Sequence, residues 1–494
     1  MLKTRLYTAL TGFVLAWSLV SVAAPRLTVV IAVDGLHADA MERLRPYWQA
    51  GGLSTLQEEA QQTSLLFPFD VQGGEETLAT LLTGEIPARH GLWYPYMFMR
   101  EDRRLHSFYE DTEADGIGIE EHLSLHNLSV PTLTDLFRLR HGQYAKLYAI
   151  GQQAPVTLLL AGHTADACCW QDPVTHQWVT TSYYPKGLPS AADEENISGR
   201  IEENCRTTWQ IRMQPSSYLS PTEQERHRGF AYSVCDVLHN SPKVNSLTVD
   251  MVLRIVEQEH LGTDNMPDLL LMELTTQSPR AVTDRLESAE QEEMYTTLNE
   301  YLGFFLEQLQ HRIGGENLQV FVFGIPRKGQ SEATRTKIGL PVKPFNVDQA
   351  AALTSVYLMA LYGHERWIDG IYGQSVFLNR PLIEQKGLDI QVVQRKVADF
   401  LMDFEGVQYA YPRNEALLID AITNQFAKPY IGDVVFGLRP AWQLYEDEQT
   451  PMDYVTDTHV STPLYWWRPN GNTLPTLPAA MQAQDLLPII INQP

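Results

Sequence analysis

Asp34 follows an unbroken apolar, β-rich run at residues 27–33 and is itself followed by Gly35. Such a run reads as a strand buried on both faces of a parallel sheet, and ligands gather outside the carboxyl ends of strands of this kind. A carboxylate there stands where a metal ligand or catalytic acid would stand. A turn Asp ahead of a Gly is an equally good structural reading. Gly73-Gly74 precede Glu75 and Glu76, and apolar spacing through Leu82 with a closing Gly84 marks a short helix. Its N-terminus suits an anion, but the two glutamates already place negative charge at the positive end of the helix dipole and oppose a phosphate.

Four cysteines, Cys168, Cys169, Cys205 and Cys235, fall in one stretch. In an oxidising compartment an even set of this kind implies disulfides. A bond between the adjacent Cys168 and Cys169 would be strained, so each is expected to reach to Cys205 or Cys235, with the pairing open. A four-cysteine zinc site lacks the usual short spacing. Residues 111–116 (Asp-Thr-Glu-Ala-Asp-Gly) open like a calcium loop, yet the twelfth position is His122 in place of a bidentate Glu, which favours an acidic surface turn. His122 and His126 have i, i+4 spacing without the HExxH glutamate. Neither a GxSxG elbow nor a P-loop occurs.

The elements that must position these residues begin after residue 23. Lys3 and Arg5, an apolar run at 6–20 and Ser21-Val22-Ala23-Ala24 have the three-part layout of a secretory signal, with cleavage expected after Ala23. The run is short for a span of about 20 apolar residues, and no later segment is long and apolar enough, so no membrane span is expected after cleavage. The mature chain is expected in the periplasm or secreted. The 37 basic and 60 acidic residues of the 494 give a net charge of −23, which argues against nucleic acid and anionic lipid.

Strand 269–274, a helix bearing Leu298, Tyr301, Leu302, Phe305 and Leu309, a stop at Gly314-Gly315 and strand 318–323 form a parallel crossover unit. Residues 102–246 are polar, aromatic and cysteine-bearing, with Trp170 and Trp178 flanking a turn at Asp172-Pro173, and read as an insertion over the sheet. Those aromatics suit a lobe core better than a stacking surface for a sugar or base. Residues 327–343 read as a surface loop, and 347–442 as a further α/β subregion.

Taken together, Val33-Asp34-Gly35, Leu82-Thr83-Gly84 through His90-Gly91, Ala161-Gly162-His163-Thr164-Ala165 with residues 178–184 downstream, Pro267-Asp268-Leu269-Leu270, Phe377-Leu378-Asn379-Arg380, Gly432-Asp433-Val434 and Asp457-Thr458-His459-Val460 carry a family likeness. The chain resembles the phosphate-irrepressible bacterial alkaline phosphatases of the alkaline phosphatase and nucleotide pyrophosphatase superfamily. The resemblance implies an α/β fold over 24–494: a mostly parallel central sheet, helices on both faces, and an inserted disulfide-bearing α+β lobe. It also implies chemistry by two zinc ions roughly 4 Å apart that activate a Thr or Ser nucleophile and steady the leaving oxygen.

Carried over by position, that chemistry finds only Asp34, matching the family's first aspartate, and His459, matching its last histidine, as metal candidates. The nucleophile position falls on Gly74, or on Val71 when counted from Phe67-Pro68. Thr77 lies one turn inside the helix, where its hydroxyl is expected to bond a backbone carbonyl. Ser278 and Val282 replace an aspartate and a histidine; Ile325 and Pro326 replace an Asp-His pair. Gln153 and Pro155 replace the Lys-x-Arg that contacts phosphate, and the family's Asn falls near Pro95.

The expectation is therefore an exported pseudoenzyme with a binding or assembly role and no bound cofactor. The alternative is an active phosphomonoester or phosphodiester hydrolase with a rebuilt site, one zinc on Asp34 and His459 helped by Glu75, Glu76 or Glu273. A third reading is a docking component of an envelope or secretion assembly, with a protein partner on the acidic surface or the lobe.

Overall fold

The structure, a computed structural model, describes residues 24–69, 71, 74–211, 231–279, 289–326, 343–419, 430–439, 442–445, 460–469 and 474–492. The expected signal segment, Val282 and His459 lie outside the described residues. The central sheet is built from β1 (Leu27–Asp34), β2 (Gln61–Leu66), β3 (Gly116–Ile117), β4 (Leu147–Gly151), β5 (Ala167–Gln171), β6 (Trp178–Thr181), β7 (Asp268–Thr275), β8 (Leu318–Ile325), β9 (Ser461–Trp467) and β10 (Ala480–Gln482). Their order is β10-β2-β9-β8-β1-β7-β4-β5-β6-β3. The block β8-β1-β7-β4-β5 is parallel throughout; β6 and β9 run against it. The sheet is thus mostly parallel, as expected.

Every residue of β1, β7 and β8 is buried, which is why these segments read as continuous apolar runs with no alternation. Side chains alternate across the sheet all the same. Val30 and Ala32 face one core, with α1 (Glu75–Thr83), α2 (Leu133–His141) and α3 (Ala154–Ala161); Val29, Ile31 and Val33 face another, with α4 (Pro242–Gln258) and α5 (Ala289–Ile313). The helix ends follow local chemistry. Thr132 and Asp135 form a capping box at the start of α2, Pro242 opens α4, and Gly84 closes α1 in the left-handed region at φ 68°. The crossover unit expected from sequence is present as β7, α5 and β8, with β1 hydrogen-bonded between the two strands.

A third core belongs to a four-stranded antiparallel sheet, Ile368–Tyr372, Ser375–Leu378, Val434–Leu438 and Val407–Pro412, covered by α6 (Val347–Tyr362) and α7 (Ile390–Leu401). Among the described residues no helix is long and apolar enough to cross a membrane.

The stretch 102–246 does not sit apart as one insertion. It supplies β3, β4, β5 and β6 to the central sheet, and at the expected turn β5 and β6 form a hairpin in which Trp170 pairs with Val179 and Gln171 with Trp178, so the two tryptophans enter cores on opposite faces of the sheet. What stands off the sheet is a two-stranded ribbon, Thr208–Gln210 with Ala231–Ser233, next to a disulfide between Cys205 and Cys235.

The cysteine expectation needs correction. Cys168 and Cys169 do not reach Cys205 or Cys235; both are free and buried. They are consecutive residues of β5, so their side chains point to opposite faces, Cys168 into the core under α1 and α3 and Cys169 into the core under α4 and α5. Burial pushes both thiols well above their usual pKa, which makes them inert packing groups. The single cross-link joins Cα atoms 4.4 Å apart across 30 residues.

Candidate functional site

The parallel strands bring four ends to one edge: Asp34 on β1, Thr275 on β7, Ile325 on β8 and Gly151 on β4. Asp34 is in register with Thr275 on one side and Ile325 on the other, so both neighbours lie about 5 Å away, the inter-strand spacing. The chain turns sharply after Asp34, with Gly35 at φ 74°. Thr276 fixes this turn by donating its N–H and its hydroxyl to the Asp34 carbonyl at 2.9 and 3.0 Å. The Gly35 N–H donates to the Ile325 carbonyl at 3.0 Å, and Tyr295 of α5 donates its hydroxyl to the Gly35 carbonyl at 2.9 Å. Asp34 is itself fully buried.

Around it, the positions where the resemblance places catalytic groups are occupied as follows. Gly74 is the N-cap of α1 at φ 105°, and Thr77 donates its hydroxyl to the Gly74 carbonyl at 2.6 Å, as expected from its place in the first turn. Val71 is buried. Ser278 donates to the Gln291 side chain at 3.2 Å, and Gln291 in turn donates to the Thr276 carbonyl. Ile325 is buried at the end of β8 and Pro326 is buried after it. Gln153 caps α3 and Pro155 lies in its first turn.

The three glutamates considered as replacement ligands each hold local structure. Glu75 accepts the Tyr109 hydroxyl at 2.6 Å, and burial together with the Glu75 charge raises the Tyr109 pKa. Glu76, 2% exposed, accepts the Gly74 N–H at 3.1 Å. Glu273, wholly buried on β7, accepts the N–H groups of Gln152 and Gln153 at 2.7 and 3.1 Å. Carboxylates of the chain itself therefore satisfy backbone donors at the starts of α1 and α3, the same donors that an incoming anion would use.

The calcium-like turn and the His122/His126 pair are structural. Asp111 accepts the Glu113 N–H and the Ser124 hydroxyl, and neither histidine lies on a helix.

Residues 28–465 match the family model for type I phosphodiesterases and nucleotide pyrophosphatases. The chain belongs to this family. A Myroides odoratus protein named a calcium-transporting ATPase is 23% identical over 460 residues, 85% of this chain and 82% of that one. Alkaline phosphatase PafA of Elizabethkingia meningoseptica is 21% identical over 426 residues, 80% of this chain and 76% of its own. The crystal structure of wild-type PafA superposes with a TM-score of 0.77 at 17% identity, over 95% of this chain and 96% of that one, which establishes a shared alkaline-phosphatase-like fold.

The motif at residues 161–165, with Tyr184 downstream, has a structural role in this fold. Within residues 161–165, Gly162 sits at φ 58° and ψ −152°, where a Cβ would collide with the Thr132 and Thr134 hydroxyls. Tyr184 donates to the Gly162 carbonyl at 2.8 Å. His163 meets Asp135 at 2.7 Å and the Leu128 carbonyl at 3.0 Å. Burial pulls the His163 pKa down, but its bonds to Asp135 outweigh that and leave it raised; burial pushes Asp135 up, and His163 with the Thr132 N–H brings it below the usual carboxylate range. This motif is a clasp between α2 and α3. Gly162→Ala is expected to destabilise the fold by about 3 kcal/mol, since it adds a Cβ in a glycine-only region and into a filled space. A urea midpoint within error of the native one would contradict the clasp.

Proposed function

We propose that this chain keeps the alkaline-phosphatase-like scaffold without zinc-dependent phosphate ester cleavage, and serves as an exported binding or assembly component. The observation that carries the reading is Ile325, held in strand register beside Asp34 at the edge where the resemblance requires a metal ligand. A zinc ion takes thiolate, imidazole or carboxylate donors, three from the protein even in an open catalytic site. Of the described positions that the resemblance assigns to zinc, Asp34 alone offers one; Ser278 is engaged with Gln291, and Ile325 and Pro326 carry no donor atom. The described residues do not fit a two-zinc group.

Two further features support the same reading. Gly74 provides no nucleophilic atom, and the Gln153-Ala154-Pro155 start of α3 faces Glu273 where the family's cations would hold phosphate. Metals, nucleophile and cationic clamp supply most of the acceleration in phosphoryl transfer. The Cys205–Cys235 disulfide supports export to an oxidising compartment, and the charge of −23 favours a cationic protein surface as partner.

The test is elemental analysis of the oxidised mature protein after zinc incubation and removal of loose metal, with phosphomonoester turnover measured on the same sample. Less than one equivalent of zinc and no turnover above buffer are expected. Two tightly held equivalents with kcat in the usual enzymatic range of about 1–1000 s⁻¹ would return the chain to the hydrolases. In that case Asp34→Ala and His459→Ala would have to lower the metal content.

A further inference from the structure

At the tip of the β5–β6 hairpin, on the same edge of the sheet as Asp34 but three strands from β1, a cysteine pair meets His176, with the ring of His239 near that of His176. One possible ligand atom from each of His176, Cys205 and Cys235 lies within 4.8 Å of the others, and all three residues are half-buried. The His239 ring sits 6.1 Å from that of His176, the planes inclined at 35°.

The hairpin tip is built to hold His176 in place. Asp172 accepts the Val174 and Thr175 N–H groups at 3.1 and 2.6 Å, the His176 N–H donates to the Asp172 carbonyl at 2.9 Å, and Gln171 donates to the His176 carbonyl at 2.9 Å. His176 is thereby fixed at φ 60°, a left-handed conformation seldom adopted by a residue with a side chain. Such strain gathers where a side chain is aimed for a purpose. Nδ1 of His176 and Nε2 of His239 are both shut off from solvent with no hydrogen-bond partner among the described residues. Two imidazole nitrogens sealed in this way within one lobe are an unusual arrangement for structure alone, because buried polar atoms are nearly always paired.

We propose that His176, Cys205 and Cys235, with His239 as the fourth donor, form a zinc site that opens when the Cys205–Cys235 disulfide is reduced. Two thiolates and two imidazoles are a recurrent tetrahedral donor set for this ion. A dithiol reductant supplies the electrons. Its two thiols pass two electrons and two protons to the S–S bond, which breaks to leave Cys205 and Cys235 as thiols while the reductant becomes a disulfide. Zinc then displaces both thiol protons to solvent and binds the thiolates.

The ribbon pairing Thr208 with Ser233 and Trp209 with Tyr232 keeps the two cysteine segments together once the covalent link is gone. Disulfide and metal are alternative states of one lobe.

The experiment uses the full mature chain reduced with a phosphine, which does not compete for metal as a thiol would, and titrates Co²⁺ anaerobically as a spectroscopic stand-in for zinc. The reduced protein is expected to show one equivalent of thiolate-to-cobalt charge transfer that zinc displaces, and the oxidised protein none. His176→Ala and His239→Ala keep both cysteines, and re-formation of the disulfide on oxidation reports that the lobe still folds. Each is expected to weaken zinc at least tenfold, and Cys205→Ser with Cys235→Ser to abolish the band. Absence of the band in the reduced native protein, or unchanged zinc affinity in either histidine variant, would overturn the site. Because the function proposed above is tested on oxidised protein, where this site is closed, the two results are independent.

Discussion

Replacing Asp433 by Ala is expected to lower the unfolding free energy by about 3 kcal/mol, near the lower end of the cost of breaking a buried ion pair from one side. Asp433 is wholly buried and collects four partners: Arg100 at 2.9 Å, Arg380 through Nε at 2.7 Å and a terminal nitrogen at 2.6 Å, the Leu378 N–H at 2.8 Å and Gln394 at 3.4 Å. Alanine would strand the Leu378 N–H inside the small sheet and leave two guanidinium groups without their anion. The arginine side chains are 25% and 42% exposed, so they can turn partly to water, which keeps the loss toward that lower end.

The damage should be local as well. Arg100 follows the strand Tyr96–Met99 and stacks over Phe377 with its charged carbon 5.1 Å from the ring centre; it docks the 96–107 hairpin onto the four-stranded sheet. Amide exchange in that sheet and in the hairpin should accelerate more than in β1 or β7. Asp433→Asn, which keeps shape and one acceptor, should cost less than Ala. Equal urea midpoints for the native protein and Asp433→Ala would refute the role assigned to this cluster.

Acidification should expose a second weak point at His90. Burial drives its pKa from 6.5 down to about 3, only partly offset by the Glu76 carbonyl. Its Nδ1 accepts the Leu92 N–H at 3.2 Å, which leaves the proton on Nε2, 3.1 Å from the Thr80 hydroxyl; that hydroxyl donates onward to the Glu76 carbonyl at 2.9 Å. Only the neutral ring fits this chain of bonds. The unfolded state takes up the proton below pH 6.5 and the folded state does not until about pH 3. The contribution is therefore fully present above pH 6.5 and is lost as pH falls toward 3, a difference of order 4 kcal/mol.

His141 and His239 are lowered in the same sense, so the native protein's whole slope is not diagnostic. The difference from His90→Gln is. That variant should be less stable at pH 7 and should lose less than the native protein between pH 6.5 and 4.5, a range above most carboxylate titrations. Parallel stability curves for the two proteins would show that His90 does not titrate as its burial requires.

Much of the framework was legible because it rests on short-range rules. The run ending at Asp34, the helix closed by Gly84, the turn at Asp172 and the β7, α5, β8 unit all depend on periodicity, caps and turn residues within a few positions. The cysteines were misread because pairing depends on which face of β5 each side chain takes, and on the position of the β5 strand beside β4, neither of which is encoded in spacing. Residues 102–246 read as an insertion because polar and aromatic composition hid four short sheet strands at 116–117, 147–151, 167–171 and 178–181, none longer than five residues.

The sequence by itself determined which side chains stand at the strand ends: Asp34 on β1, Ile325 and Pro326 after β8, Gly74 ahead of α1. Those identities are fixed wherever the chain goes, and they bound the chemistry available. Only the tertiary structure decided what the remaining polar groups are for. Arg100 and Asp433 lie 333 residues apart, and Gln152 and Glu273 lie 121 apart; they meet because the order of strands in the sheet brings them together. Strand order arises from burying both faces of the sheet at once, a condition on the whole chain and not on any local segment. The same condition places His176 beside Cys205 and Cys235, whose spacing in the sequence gives no sign of that meeting.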